Sequence, residues 1–220
     1  MEKTKILKTI ELLNENKTAE ALELLKIELI KSEDKKSAKL CEVVKKYLNK
    51  ADKARPILKT IMQQDGAQFI CNGISLYYFN EYRPELEALP QAQGESINAK
   101  YILNTSGTAS NINAEDLKIL NNIKKIVNYF KTLDGIDKRE PFPVPFAGKV
   151  YDAKLLQECC EFFNFNFENM QIIKTDNQRA STQLKDGKIT AVLMPMIIRS
   201  EEFKQKTDAN IKKFFELLEG

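Results

Sequence analysis

The sequence predicts an α+β protein in three parts: a helical unit at 1–50, an α+β domain at 51–198, and a helical tail at 199–220. Three observations carry this. Apolar residues recur at helical spacing near both termini. Gly-containing turn pairs separate short β-prone runs in between. Two polar caps, Asn113 and Asp152, open helices between those runs.

The N-terminal helices come first. Ile6, Ile10 and Leu13 share one helical face, and Leu22, Leu25 and Leu29 share another. The polar run Asn14–Lys17 interrupts them, and Thr18 is the expected N-cap of the second helix. After a turn at Ser32–Lys36, Leu40, Val43, Val44, Tyr47 and Leu48 mark a third helix. The unit is expected to be dispensable for folding of the remainder.

Pro56 suits the first turn of a short helix over Ile57–Gln64, followed by an Asp65-Gly66 turn. Gln68–Cys71 and Ser75–Asn80 are expected strands flanking Asn72-Gly73. In the second, Tyr77 and Phe79 alternate with Tyr78, which predicts core packing rather than a base-stacking platform. Residues 82–112 read as irregular, with a short strand near Tyr101–Leu103 and a hydroxyl-rich surface loop at Thr105–Ser110. Asn113 and Asp116 form an Asx version of the capping box. Leu117, Leu120, Ile123, Val127 and Phe130 give that helix its buried stripe.

A loop over Gly135–Pro145 is stiffened by three prolines. A strand at Phe146–Tyr151 then leads into a helix capped by Asp152, with Leu155, Leu156 and Cys159 inward. Strands follow at Glu168–Thr175, Arg179–Leu184 and Lys188–Ile198, the last pair closed by Asp186-Gly187. Ser200 caps the tail helix, whose Phe203, Ile211, Phe214, Phe215 and Leu218 need cover. The nearest apolar surface in sequence is Val192–Ile198, and the tail is expected to pack there.

Composition excludes much chemistry. The 220 residues contain no histidine, so no Ser-His-Asp or Cys-His nucleophile system and no His-ligated metal can be built within the chain. The cysteines Cys41, Cys71, Cys159 and Cys160 show no CxxC spacing and are expected to be reduced and structural. Glu158 and Glu161 lack a second acidic cluster for two-carboxylate catalysis. The chain is therefore expected to be neither an enzyme nor a cofactor or metal binder. It has no apolar leader or membrane span, which points to a cytoplasmic protein.

Net charge is +3, from 34 basic and 31 acidic side chains, too balanced to mark a nucleic-acid binder. Residues 1–55 nonetheless hold 14 basic against 10 acidic groups. Lys45, Lys46, Lys50 and Lys53 are the candidate phosphate contacts.

The segment Gly148–Ile198, from GKVYDAKLLQECCEFF through ENMQIIKTDNQRASTQLKDGKITAVLMPMII, resembles the last half-domain of the bacterial DNA polymerase sliding clamp, the beta subunit. Val192-Leu193-Met194-Pro195-Met196 is similar to that family's C-terminal signature, and residues 55–103 look like a more degenerate preceding half. The resemblance implies a clamp-like domain of two strand–helix–sheet halves and a peptide-capturing pocket lined by Val192, Leu193, Met194, Pro195 and Met196; in the family three such domains form a protomer and protomers close into a ring on DNA, and no self-sufficient ring is expected of this chain. The departures are plain. One clamp domain is present where the family has three, 22 residues follow the segment that ends at Ile198, and Ile197 stands where a basic residue is usual. The helix that would face DNA carries Lys154 among Asp152, Glu158 and Glu161. The expectation is a divergent, non-catalytic protein-binding module of phage or mobile-element character. It would act on DNA replication or processing machinery through a protein partner, with an oligomer allowed. The alternatives are a nucleic-acid binder using the basic N-terminal helices, and an inhibitor of a host defence complex.

Overall fold

A computed structural model describes residues 3–52, 54–94, 97–104, 107–133, 141–174, 177, 179–197 and 201–219. The class is α+β. Packing divides the chain into two compact units, one formed by 1–72 with 81–97, the other by 73–80 with 98–220. This division differs from the one read from sequence, because the N-terminal helices join the short segments that follow them.

In the first unit, α1 (Lys3–Asn14), α2 (Thr18–Glu33) and α3 (Lys35–Lys50) precede a 3-10 turn at Pro56–Lys59 and the strands β1 (Met62–Gln64) and β2 (Ala67–Cys71). A second 3-10 turn spans Pro84–Ala88. Asn16, at φ 59°, turns the chain between α1 and α2. Thr18 begins α2 as its first helical residue instead of capping it; the cap position is Lys17. Asp34 separates α2 from α3 and caps α3 by accepting from the Lys36 and Ser37 amides. α3 supplies the inward face, with Cys41, Val44, Tyr47 and Leu48 buried. It packs on both 3-10 turns, whose Leu58 and Leu86 are buried too. Cys41 Sγ donates to the Glu85 carbonyl at 3.3 Å.

The outer two helices behave differently. The stripes Ile6, Ile10, Leu13 and Leu22, Leu25, Leu29 are exposed, and the buried positions of α1 and α2 are Thr9, Ala21 and Ile27. Further on, the helix expected through Gln64 stops at Lys59. Asp65 and Gly66, both at positive φ, close an antiparallel β1–β2 hairpin with Met62 opposite Phe69.

The second unit is built on antiparallel strands in the order β3-β9-β8-β7-β4. These are β3 (Ser75–Phe79), β4 (Thr108–Asn111), β7 (Gln171–Lys174), β8 (Thr182–Lys185) and β9 (Ile189–Leu193). Tyr77 and Phe79 are buried as alternation predicts, and Tyr77 stacks on Phe162 with ring centroids 3.7 Å apart. Asp186 caps the β8–β9 turn by accepting from the Lys188 and Ile189 amides. The expected strand near Tyr101 is instead the short helix α4 (Ala99–Leu103). Part of the expected hydroxyl loop is β4, exposed along its length. Its approach to β7 is close enough that a Cβ on Gly107 would sit 2.8 Å from the Lys174 carbonyl oxygen.

Helix α5 (Ala114–Thr132) buries Ile119, Leu120, Ile123, Ile126, Val127 and Phe130. Helix α6 (Ala153–Phe162) is capped by Asp152, whose Oδ1 accepts from the Lys154 and Phe142 amides. Between them lies a hairpin the sequence reading divided into loop and strand: β5 (Pro143–Phe146) and β6 (Lys149–Asp152), turning at Ala147-Gly148. The tail helix α7 (Glu201–Glu219) packs on β5 and α5. Phe214 is buried, 5.5 Å from the Tyr129 ring, and the Lys118 ammonium lies over Phe215. Ser200, the expected tail cap, lies outside the described residues.

Candidate functional site: the chain beyond the last strand

β9 is fully buried from Ile189 to Leu193. Val192 pairs with Leu76 on one side and Gln183 on the other, and Leu193 pairs with Ser75 and Thr182. Two of the five residues assigned to partner binding are therefore interior strand positions. The expected strand runs to Ile198, but strand geometry ends at Leu193, and Met194, Pro195 and Met196 continue along the surface.

Two backbone hydrogen bonds fix that segment. The Met194 amide donates to the Ile74 carbonyl at 2.9 Å, and the Met196 amide donates to the Val150 carbonyl at 2.8 Å. Pro195 falls between the two donors and has no amide to lose. The segment is thus pinned at both methionines. Met194, Ile74 and Ile197 are 43, 57 and 66% exposed, while Pro195 and Met196 are half-buried. The result is a small apolar ledge flanked by adaptable methionine side chains.

The β5–β6 hairpin supplies the Val150 carbonyl, and its position is over-determined. Tyr151 Oη donates to Thr182 Oγ1 at 2.7 Å, and the buried Lys149 ammonium donates to the Ala180 carbonyl at 2.8 Å. At the turn, Ala147 takes φ 55°, and its amide donates to Asp116 Oδ1 at 2.7 Å. Asn113 caps α5 by accepting from the Asp116 amide, as expected. The Asp116 carboxylate does not return the bond to complete a capping box; it reaches across to the hairpin.

Elsewhere the chemistry is quiet. All four cysteines are buried and unbridged. Burial pushes the Cys41 and Cys160 thiols up to about 12 and raises Cys159 well above the usual thiol range, which suppresses thiolate chemistry. No cluster of potential metal ligands occurs among the described residues. No described helix is long and apolar enough to cross a membrane.

Lys45 Nζ pairs with Glu23 at 2.9 Å. Lys46 and Lys50 are exposed one turn apart on α3, and Lys53 lies outside the described residues. Lys154 lies with its ammonium 4.0 Å from the centre of the Phe142 ring, and Asp152 is committed to capping.

No family model matches the chain, and no curated protein does. Among solved structures, one described as a "Putative DNA polymerase III beta subunit" from Eubacterium rectale ATCC 33656 is similar over 72% of this chain and 63% of that one, so this chain spans less than two thirds of its length. The TM-score is 0.48 and the sequence identity 13%, too low for the likeness to carry inferences about binding or activity.

Proposed function

We propose that the protein is a non-catalytic protein-binding module that engages DNA replication or DNA-processing machinery through the ledge formed by Ile74, Met194, Pro195, Met196 and Ile197. The observation that carries this is the pinned, partly exposed Met194–Ile197 segment. A rigid backbone presenting apolar side chains loses little entropy when a short apolar peptide docks. The assignment to replication machinery rests on the resemblance of Gly148–Ile198 to the sliding clamp. Nucleic-acid binding through the N-terminal helices is the weaker reading, since Glu23 already neutralises Lys45.

The test is affinity capture from a bacterial extract with the full chain as bait. A Met194→Asp, Ile197→Asp double variant serves as comparator, its fold checked by circular dichroism. The expected result is capture of replication or repair proteins by the parent and their loss from the variant. Equal capture by both, or captured proteins with no link to DNA, would overturn the proposal.

A further inference from the structure

The outer helical hairpin carries a larger apolar surface than the ledge does. Ile6, Leu7, Ile10 and Leu13 of α1 and Leu22, Leu25 and Leu29 of α2 are all exposed, by between 40 and 61%. At 100° per residue, Ile6, Ile10 and Leu13 fall within about 60° of one another, and so do Leu22, Leu25 and Leu29. Lys5 pairs with Glu28, which marks the sides on which α1 and α2 face each other. Each stripe lies roughly a quarter turn from that side. Because the two helices run antiparallel, both quarter turns lead to the same side of the hairpin. Ile27, on the opposite face of α2, is buried. The hairpin therefore has a covered face and an uncovered one, and the uncovered one is the more apolar.

We propose that this uncovered face packs against the same face of a second copy of the chain, making a four-helix bundle from two α1–α2 hairpins. Two observations favour a second copy. First, the spacing is that of a helix–helix seam. Thr18, Leu22, Leu25, Leu29 and Ser32 follow one another by alternating steps of four and three, with no charge among them, and Ile6, Ile10 and Leu13 do the same on α1. A two-helix face with this repeat is self-complementary under a two-fold axis. Second, the area fits. The six side chains of the two stripes expose on the order of 500 Å², against about 800 Å² per partner in a standard interface and roughly 300–600 Å² for the largest patch on an ordinary monomer. Neighbouring polar atoms make up the difference.

The full chain is tested by sedimentation equilibrium from about 1 to 100 μM, alongside a Leu25→Glu, Leu29→Glu double variant. The parent should be a dimer and the variant a monomer, its dimer dissociation constant raised ~100-fold or more. Both side chains are exposed within one copy, so the variant should stay folded and lose no more helical circular dichroism than α1 contributes. Should it misfold, Leu25→Cys supplies a second reading. Oxidation should trap a covalent dimer through this thiol, since the four native thiols are buried. A parent that stays monomeric at 100 μM, a folded variant that dimerises as well as the parent, or failure of Leu25→Cys to cross-link would overturn the proposal. A monomeric parent that takes up a different protein on this face would overturn it equally.

Discussion

Replacing Asp116 should cost far more than its position in the first turn of a helix would suggest. Its carboxylate is buried and accepts from the Ala147 amide at 2.7 Å. Ala147 is itself 2% exposed, so its amide depends on that acceptor. In Asp116→Ala the amide is left buried and unpaired, a loss of about 1.5–3 kcal/mol for a bond to a charged group. Asp116→Asn keeps an acceptor in place and gives up the charge, including its favourable position near the N-terminus of α5, about 0.3–1 kcal/mol. For a chain of this size each kcal/mol moves the melting temperature by roughly 2–4 °C. Alanine should therefore lower it by about 3–12 °C and asparagine by about 1–4 °C. Thermal melts followed by circular dichroism, with urea titrations in parallel, measure the difference. Equal losses for the two variants would refute the reasoning, because the missing acceptor would then not be what the hairpin turn depends on.

Deleting residues 1–50, a unit the sequence alone marks as dispensable, should instead abolish the cooperative transition of the first unit, since Leu58 and Leu86 lose the cover of α3; calorimetry of the truncated chain checks this. Stability should fall as pH rises from about 9 to about 12. Burial first of all holds the Cys41 and Cys160 thiols and the Tyr151 phenol up to about 12, whereas the unfolded chain releases these protons nearer 9 and 10, so the folded state binds more protons in that window; urea midpoints across the range test the sign. Phe214→Ala should destabilise the second unit by about 3 kcal/mol through the space left beside Tyr129, measured by urea denaturation.

Local signals were legible wherever a residue acts on its own neighbours. Asn113, Asp152 and the pairs Asp65-Gly66 and Asp186-Gly187 do what their chemistry predicts. The β5–β6 hairpin was hidden by its prolines. In the observed register Pro143 and Pro145 stand opposite Asp152 and Val150, positions whose amides point away from β6, so no ladder bond is lost. The turn was hidden because Ala147, not a glycine or asparagine, takes the first positive φ, and the Asp116 acceptor that supports it comes from another element. At the candidate site the Met-Pro-Met motif was visible. The bonds to Ile74 and Val150 were not, because they come from distant parts of the chain. Burial of Val192 and Leu193 likewise depends on strands to either side.

The apolar stripes of α1 and α2 were read correctly as stripes, but periodicity reports only that a face is apolar and says nothing of what covers it. The consequence is sharpest for α1. Among its described side chains only Thr9 is buried, and its other apolar residues look outward or lie half-covered. A helix of 12 residues is marginal in water without tertiary support. α2 gives it the Lys5–Glu28 ion pair and contact along one side. Covering Ile6, Ile10 and Leu13 in a second copy would supply what the single chain lacks, at about 25 cal/mol for each Å² of apolar surface removed from water. Helix formation in α1 is then coupled to association. Amide hydrogen exchange in α1 should slow as protein concentration rises through the dimer dissociation constant, while exchange in α3, buried within one copy, should not change. Concentration-independent exchange in α1 would show that the hairpin is held by its own chain alone.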